Sequence, residues 1–127
     1  MQEGYVGRSG IELTVVSVRT SVTSLTGEHD LASQQRVIDA LLLATARPNV
    51  IVDLTSCTFI DTTILDVLYA ARRLQASRER IELVIPEGNG FVNRWSRITG
   101  VRLAIATHGS LAEALESAGE SPAASAA

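Results

Sequence analysis

The strongest constraint on this chain is a hydrophobic period that switches repeatedly between that of a strand and that of a helix. Ile11 to Val18 (IELTVVSV) is rich in β-branched residues with partial alternation and reads as a strand. Ser21 to Leu25 is a second short β-rich run, closed by the turn-like Thr26-Gly27. Then the period lengthens. Leu31, Ile38, Leu41, Leu42 and Thr45 fall on one helical face between Leu31 and Ala46, with Asp30 placed as N-cap. Pro48-Asn49 breaks that helix, and Val50 to Leu54 follows, an almost unbroken β-branched run of the kind buried on both faces. A second helix is expected from after Asp61 to about Ser77, with Ile64, Leu65, Leu68, Ala71 and Leu74 on its inner side. Ile81 to Ile85 reads as another buried strand stopped by Pro86. Gly88 to Gly90 reads as a loop, and Phe91 to Thr99 as a short helix closed by Gly100. Leu103 to Ala106 reads as a last short strand, and Ser110 caps a final helix reaching about Ala118.

The resulting order, β-β-α-β-α-β-α-β-α, predicts an α/β fold. Its sheet is mixed and mostly parallel, with right-handed crossovers and one antiparallel strand at the start. A chain of 127 residues holds one such core. The expected division is a flexible segment over 1–10, a single domain over 11–118 and a disordered Ala/Ser-rich tail over 119–127.

Several functions are disfavoured by composition. The net charge is -3, and all 11 basic residues are arginines scattered singly or in pairs, so no nucleic-acid partner is expected. Cys57 is the single cysteine, which points to a reducing compartment, and its apolar context suggests a buried structural thiol. The N-terminus lacks an apolar signal core and no apolar run approaches ~20 residues, so a cytoplasmic protein without direct membrane insertion is expected. His29 and His108 have no cysteine or acidic cluster at ligand spacing, so no metal is expected. Gly88-Asn89-Gly90 lacks the wider phosphate-binding pattern, and Trp95 reads as core more readily than as a binding anchor. No pair of side chains offers acid–base or nucleophilic work, so neither an enzyme nor a cofactor is expected.

Two stretches carry a resemblance. Residues 27–32 (GEHDLA) and 53–65 (DLTSCTFIDTTIL) resemble the STAS family, which includes bacterial anti-anti-sigma factors and the cytoplasmic tails of sulfate transporters. The first is similar to the family's G-E-x-D-L-A entry to helix one. The second is similar to its D-L-S-x-x-x-F-I-D-S-S-G-L segment, running from the central strand into helix two. Residues 98–101 (ITGV) and 110–115 (SLAEAL) fit as well, and the resemblance spans roughly 11–118. It implies an anti-sigma factor antagonist that binds an anti-sigma factor, itself a Ser/Thr kinase, and is switched by phosphorylation. Thr63 matches the family's phosphoacceptor, Thr62 the hydroxyl before it and Asp61 the acidic residue. The family's glycine is Ile64 here, a departure that puts phosphorylation in question.

The residues themselves allow a plainer account of the same segment. As N-cap, Asp61 places Thr62 and Thr63 in a first helical turn, where a phosphate gains about 0.3–1 kcal/mol from the helix end. A switch there acts on the partner rather than on the fold. Thr62, Asp66, Tyr69 and Arg73 align on the outer side of the helix, and Tyr and Arg are types that anchor interfaces. The expected docking patch is Glu28, His29, Asp30, Asp61, Thr62, Thr63, Ile64, Asp66, Tyr69 and Arg73. Asp30 and Asp61 as mere caps, and the helix row as an ordinary solvated face, stay open. So do a non-switching STAS scaffold or assembly subunit, a small-ligand or lipid-transport accessory module, and a homodimer in place of a monomer.

Overall fold

The structure is a computed structural model and describes residues 9–74 and 80–121. The chain enters as β1 (Ser9–Val15) and β2 (Thr20–His29), an antiparallel pair with Ile11 opposite Leu25. A 3-10 turn (Leu31–Ser33) and α1 (Gln34–Ala44) lead to β3 (Asn49–Asp53), followed by β4 (Cys57–Ile60) and α2 (Thr62–Leu74). Then come β5 (Arg80–Val84), α3 (Gly90–Thr99), the single turn α4 (Val101–Ala104), β6 (Thr107–His108) and α5 (Leu111–Ser117).

The strands form one sheet in the order β1-β2-β3-β5-β6, and every pairing after the first is parallel. This is the mixed, mostly parallel α/β sheet that the alternating periods predict. β3 is buried on both faces, as its β-branched composition requires. Val50 and Val52 join a large cluster with Leu41 of α1, Leu68 of α2 and Val92 of α3, while Ile51 packs on the other face with Ala114 and Leu115 of α5. The helices α1, α2 and α3 therefore form one layer, with α5 across the sheet from them.

β2 is long enough to serve two neighbours on the same edge. Its first half pairs with β3 and its last residues, Gly27–His29, pair with β4. The register shifts between Gly27 and Glu28, where Gly27 adopts φ 77, a left-handed conformation suited to glycine.

Four expectations need correction. β2 does not close at Thr26-Gly27 but runs on to His29, where it pairs with β4, a strand the sequence reading does not contain. The residues of β4 break strict alternation, since Cys57 and Ile60 are buried while Thr58 and Phe59 are exposed. Leu103–Ala106 is not a strand. Gly100, at φ 73, ends α3 and the chain turns straight into α4, burying Val101 and Ile105 at helical i, i+4 spacing. The expected first helix starts as a 3-10 turn capped by Asp30, whose carboxylate accepts from Ala32 N at 2.9 Å. Its α-helical part buries Val37, Leu41 and Ala44; of the expected inward row only Leu41 is buried, and Leu31 and Leu42 are exposed. The second helix buries Val67 with Ile64, Leu68 and Ala71, and leaves Leu74 exposed. Its expected end near Ser77 lies outside the described residues.

At the termini, Ser9 and Gly10 already pair with β2. The Glu120 carboxylate accepts from the Ser17 and Thr20 hydroxyls at 2.7 Å each, which ties the chain beyond α5 back to the sheet. Among the described residues no helix is long and apolar enough to cross a membrane.

Candidate functional site

The pairing of β2 with β4 builds the site. It sets Glu28 opposite Phe59 and His29 opposite Ile60, so the Glu28–Asp30 turn lies beside the approach to α2. Asp61 N donates to the His29 carbonyl at 3.2 Å and joins the two turns. The Asp61 carboxylate then accepts twice from Thr63, from its backbone N–H at 3.0 Å and its hydroxyl at 2.5 Å. Asp61 thus satisfies one of the unpaired donors of the first helical turn, as an N-cap does. Asp53 and Thr55 repeat the same local arrangement at the end of β3. Thr62 is exposed, and Thr63 is half-buried with its hydroxyl turned to Asp61.

The outer ridge of α2 carries Thr62, Asp66 and Arg73, all exposed, and Tyr69, half-buried against the core. Glu28 is exposed and Asp30 half-buried at the same end of the helix. Eight of the ten expected patch residues are therefore at least partly at the surface, and two are not.

His29 is fully buried and cannot line a docking surface. Its Nε2 lies 3.1 Å from the Gly10 carbonyl and 3.0 Å from that of Thr26, two groups that can only accept, so Nε2 carries the proton. Burial lowers the ring's pKa, against the opposing pull of those carbonyls. In the neutral ring Nδ1 is an acceptor, and the Ser33 hydroxyl donates to it at 3.0 Å. His29 is a staple joining β1, β2 and the start of α1. Ile64 is likewise fully buried, packed in the main cluster, so the residue replacing the family's glycine is a core residue and not a surface knob.

The other singled-out side chains are structural. Burial pushes the Cys57 thiol up to about 11, out of reach of thiolate chemistry near neutrality. Trp95 is buried in the main cluster. His108 Nε2 lies 2.6 Å from Glu82, a buried carboxylate that also pairs with Arg80 at 3.1 Å.

One surface feature escaped the sequence reading. The chain's two phenylalanines, Phe59 on β4 and Phe91 on α3, are both exposed and pack on each other, with ring centroids 5.3 Å apart. Phe59 lies two residues before Asp61, and strict alternation from buried Cys57 would turn it inward, so no sequence sign marks it as exposed.

Fold and site together define a class: a small mixed-sheet α/β domain that presents a capped helix start beside the end of a long shared strand. The family model described as "Mlab, STAS domain" matches residues 14–103, and the chain belongs to the STAS family. None of the curated proteins matches it. Among solved structures it is similar to an anti-sigma factor antagonist from Mycobacterium paratuberculosis, with TM-score 0.79 and 19% identity, over 88% of this chain and 95% of that one. It is also similar to the anti-sigma factor antagonist SpoIIAA in its unphosphorylated form, with TM-score 0.70 and 20% identity, over 85% and 95% of the two chains. The phosphorylated form of SpoIIAA, a Bacillus cell fate determinant, gives TM-score 0.64 and 20% identity over 85% and 98%. At this identity the likeness is one of fold.

Proposed function

We propose that the chain is a non-catalytic, cytoplasmic anti-sigma factor antagonist that binds a Ser/Thr-kinase-type anti-sigma factor and frees its sigma factor. The observation that carries this reading is the start of α2. There Asp61 holds the Thr63 hydroxyl at 2.5 Å, with Thr62 exposed beside it, next to the Glu28–Asp30 turn. The docking patch is Glu28, Asp30, Asp61, Thr62, Thr63, Asp66, Tyr69 and Arg73, with Phe59 and Phe91 as apolar contacts at its border. His29 and Ile64 support it from below.

The same geometry supports a switch at Thr63, with Thr62 as the alternative acceptor. The Thr63 oxygen donates its proton to Asp61. Once esterified by phosphate it has no proton to donate, and a group of about two negative charges faces the carboxylate. Attraction becomes repulsion at the centre of the patch, while the first-turn N–H groups still favour the phosphate and keep the helix intact.

The test is affinity capture of a kinase-type anti-sigma factor from the native host, with mass spectrometry of bait and partner. The wild-type and Thr63→Ala proteins are expected to capture it, and Thr63→Asp to lose it. Equal capture by Thr63→Asp, with no phosphate at Thr62 or Thr63, would sink the switch and leave a constitutive binder. A constitutive, unswitched accessory module is the second reading, favoured by the description of the matched family model as a Mlab-type domain.

A further inference from the structure

The layer of α1, α2 and α3 has a far end that the docking patch reaches only at Arg73. From Gly90 to Ala106 the sequence holds Arg94, Arg97 and Arg102 and no acidic residue, in a chain whose net charge is -3. Arg72 Nη1 donates to the Ala104 carbonyl at 2.6 Å, which brings the last turn of α2, with Arg72, Arg73 and Leu74, against α4. Arg102 is held by neutral acceptors, Ser96 Oγ at 2.8 Å and Asn93 Oδ1 at 2.5 Å. Among the described residues, no ion pair joins a carboxylate to Arg72, Arg73, Arg94, Arg97 or Arg102.

Arginines in last helical turns complement the negative end of the helix dipole, and that alone accounts for several of them. It does not account for the aliphatic side chains they surround. Ile98 and Leu103 stand on either side of the Gly100 turn, 77% and 95% exposed, and Leu74 is 64% exposed at the same end of α2. Exposed aliphatic tips ringed by cations meet the needs of an interfacial contact with lipid: apolar groups enter the headgroup boundary while arginines meet anionic headgroups.

We propose that this corner, Ile98 and Leu103 with Arg72, Arg94 and Arg97, docks the protein peripherally on an anionic lipid surface. The acids at the opposite end of α2, about 20 Å away along its 13 residues, set the orientation, because the same surface repels them. Thr62 and Asp61 then face away from the lipid, toward any partner.

The test is co-sedimentation of the full chain with vesicles of phosphatidylcholine, with and without phosphatidylglycerol. Binding is expected only with phosphatidylglycerol, with release at high salt. The double variant Ile98→Ser/Leu103→Ser, which keeps every charge, is expected to bind about tenfold more weakly. Arg94→Gln/Arg97→Gln should weaken binding too, and unchanged circular dichroism shows that both variants are folded. Three results would overturn the proposal: no vesicle binding, binding indifferent to phosphatidylglycerol, or binding that both variants retain. So would a concentration-dependent dimer abolished by Ile98→Ser/Leu103→Ser in the absence of vesicle binding, because the corner would then be occupied by a second copy.

Discussion

At its N-terminal end α2 meets acids: Asp61 caps it, Asp66 lies on its first turns, and Glu28 and Asp30 stand beside it across β4. At its C-terminal end the same helix meets arginines, its own Arg72 and Arg73 and those of α3 and α4. The acidic end rests on buried supports, the His29 staple and Ile64, whereas the basic end stands on the surface. Changes at the two ends should therefore differ in kind. Under the acidic end they act first on stability, and at the basic end they act on what the surface binds.

The largest effect is expected from Ile64→Gly, which restores the family's residue. It empties a fully buried site and adds helix-interior glycine, a combined cost of about 4 kcal/mol in urea unfolding. A cost below ~1 kcal/mol would mean that the core does not anchor this end. His29→Ala should follow at about 2–3 kcal/mol, since it leaves the Gly10 and Thr26 carbonyls without their donor. His29 also sets a pH dependence. Its folded pKa is lowered, so the unfolded chain takes up the proton more readily. Stability is complete above about pH 6.5 and falls as pH drops below it toward the folded pKa. Thermal melts of wild type and His29→Gln over that range are the check, and the variant's profile should be flatter. Asp61→Ala should cost about 1 kcal/mol through loss of the cap. The smallest effect belongs to the basic end, where Arg73→Gln and Arg97→Gln should each stay within about 0.5 kcal/mol of wild type. A larger loss there would erase the contrast between the ends.

The same contrast governs what could be read without a structure. The acidic end comes from two contiguous stretches, 27–32 and 53–66, and helical spacing in the second was enough to place Thr62 and Asp66 on one ridge. His29 was misplaced because a turn rich in polar residues looks solvated, and only the return of β1 over it, with Gly10 as a partner, closes it off. Ile64 was already turned inward by helical spacing, yet counting it among the docking residues ignored that periodicity. At the basic end no local pattern exists, since Arg72 and Ala104 are far apart in sequence and meet through tertiary packing. The α4 turn was hidden for a related reason: four residues are too few to show a period, and Leu103 resembles a strand residue until Val101 and Ile105 are seen to share one side.

A helical layer that is negative at one end and positive at the other has a kinetic consequence. The molecule carries a dipole along α2, so a charged body turns it during approach, before any side chain touches. A cationic partner would meet the Asp61 end first in most encounters. Its association rate should fall as salt shortens the reach of the field, to about 8 Å at physiological strength, while dissociation, governed by short-range contacts, should change little.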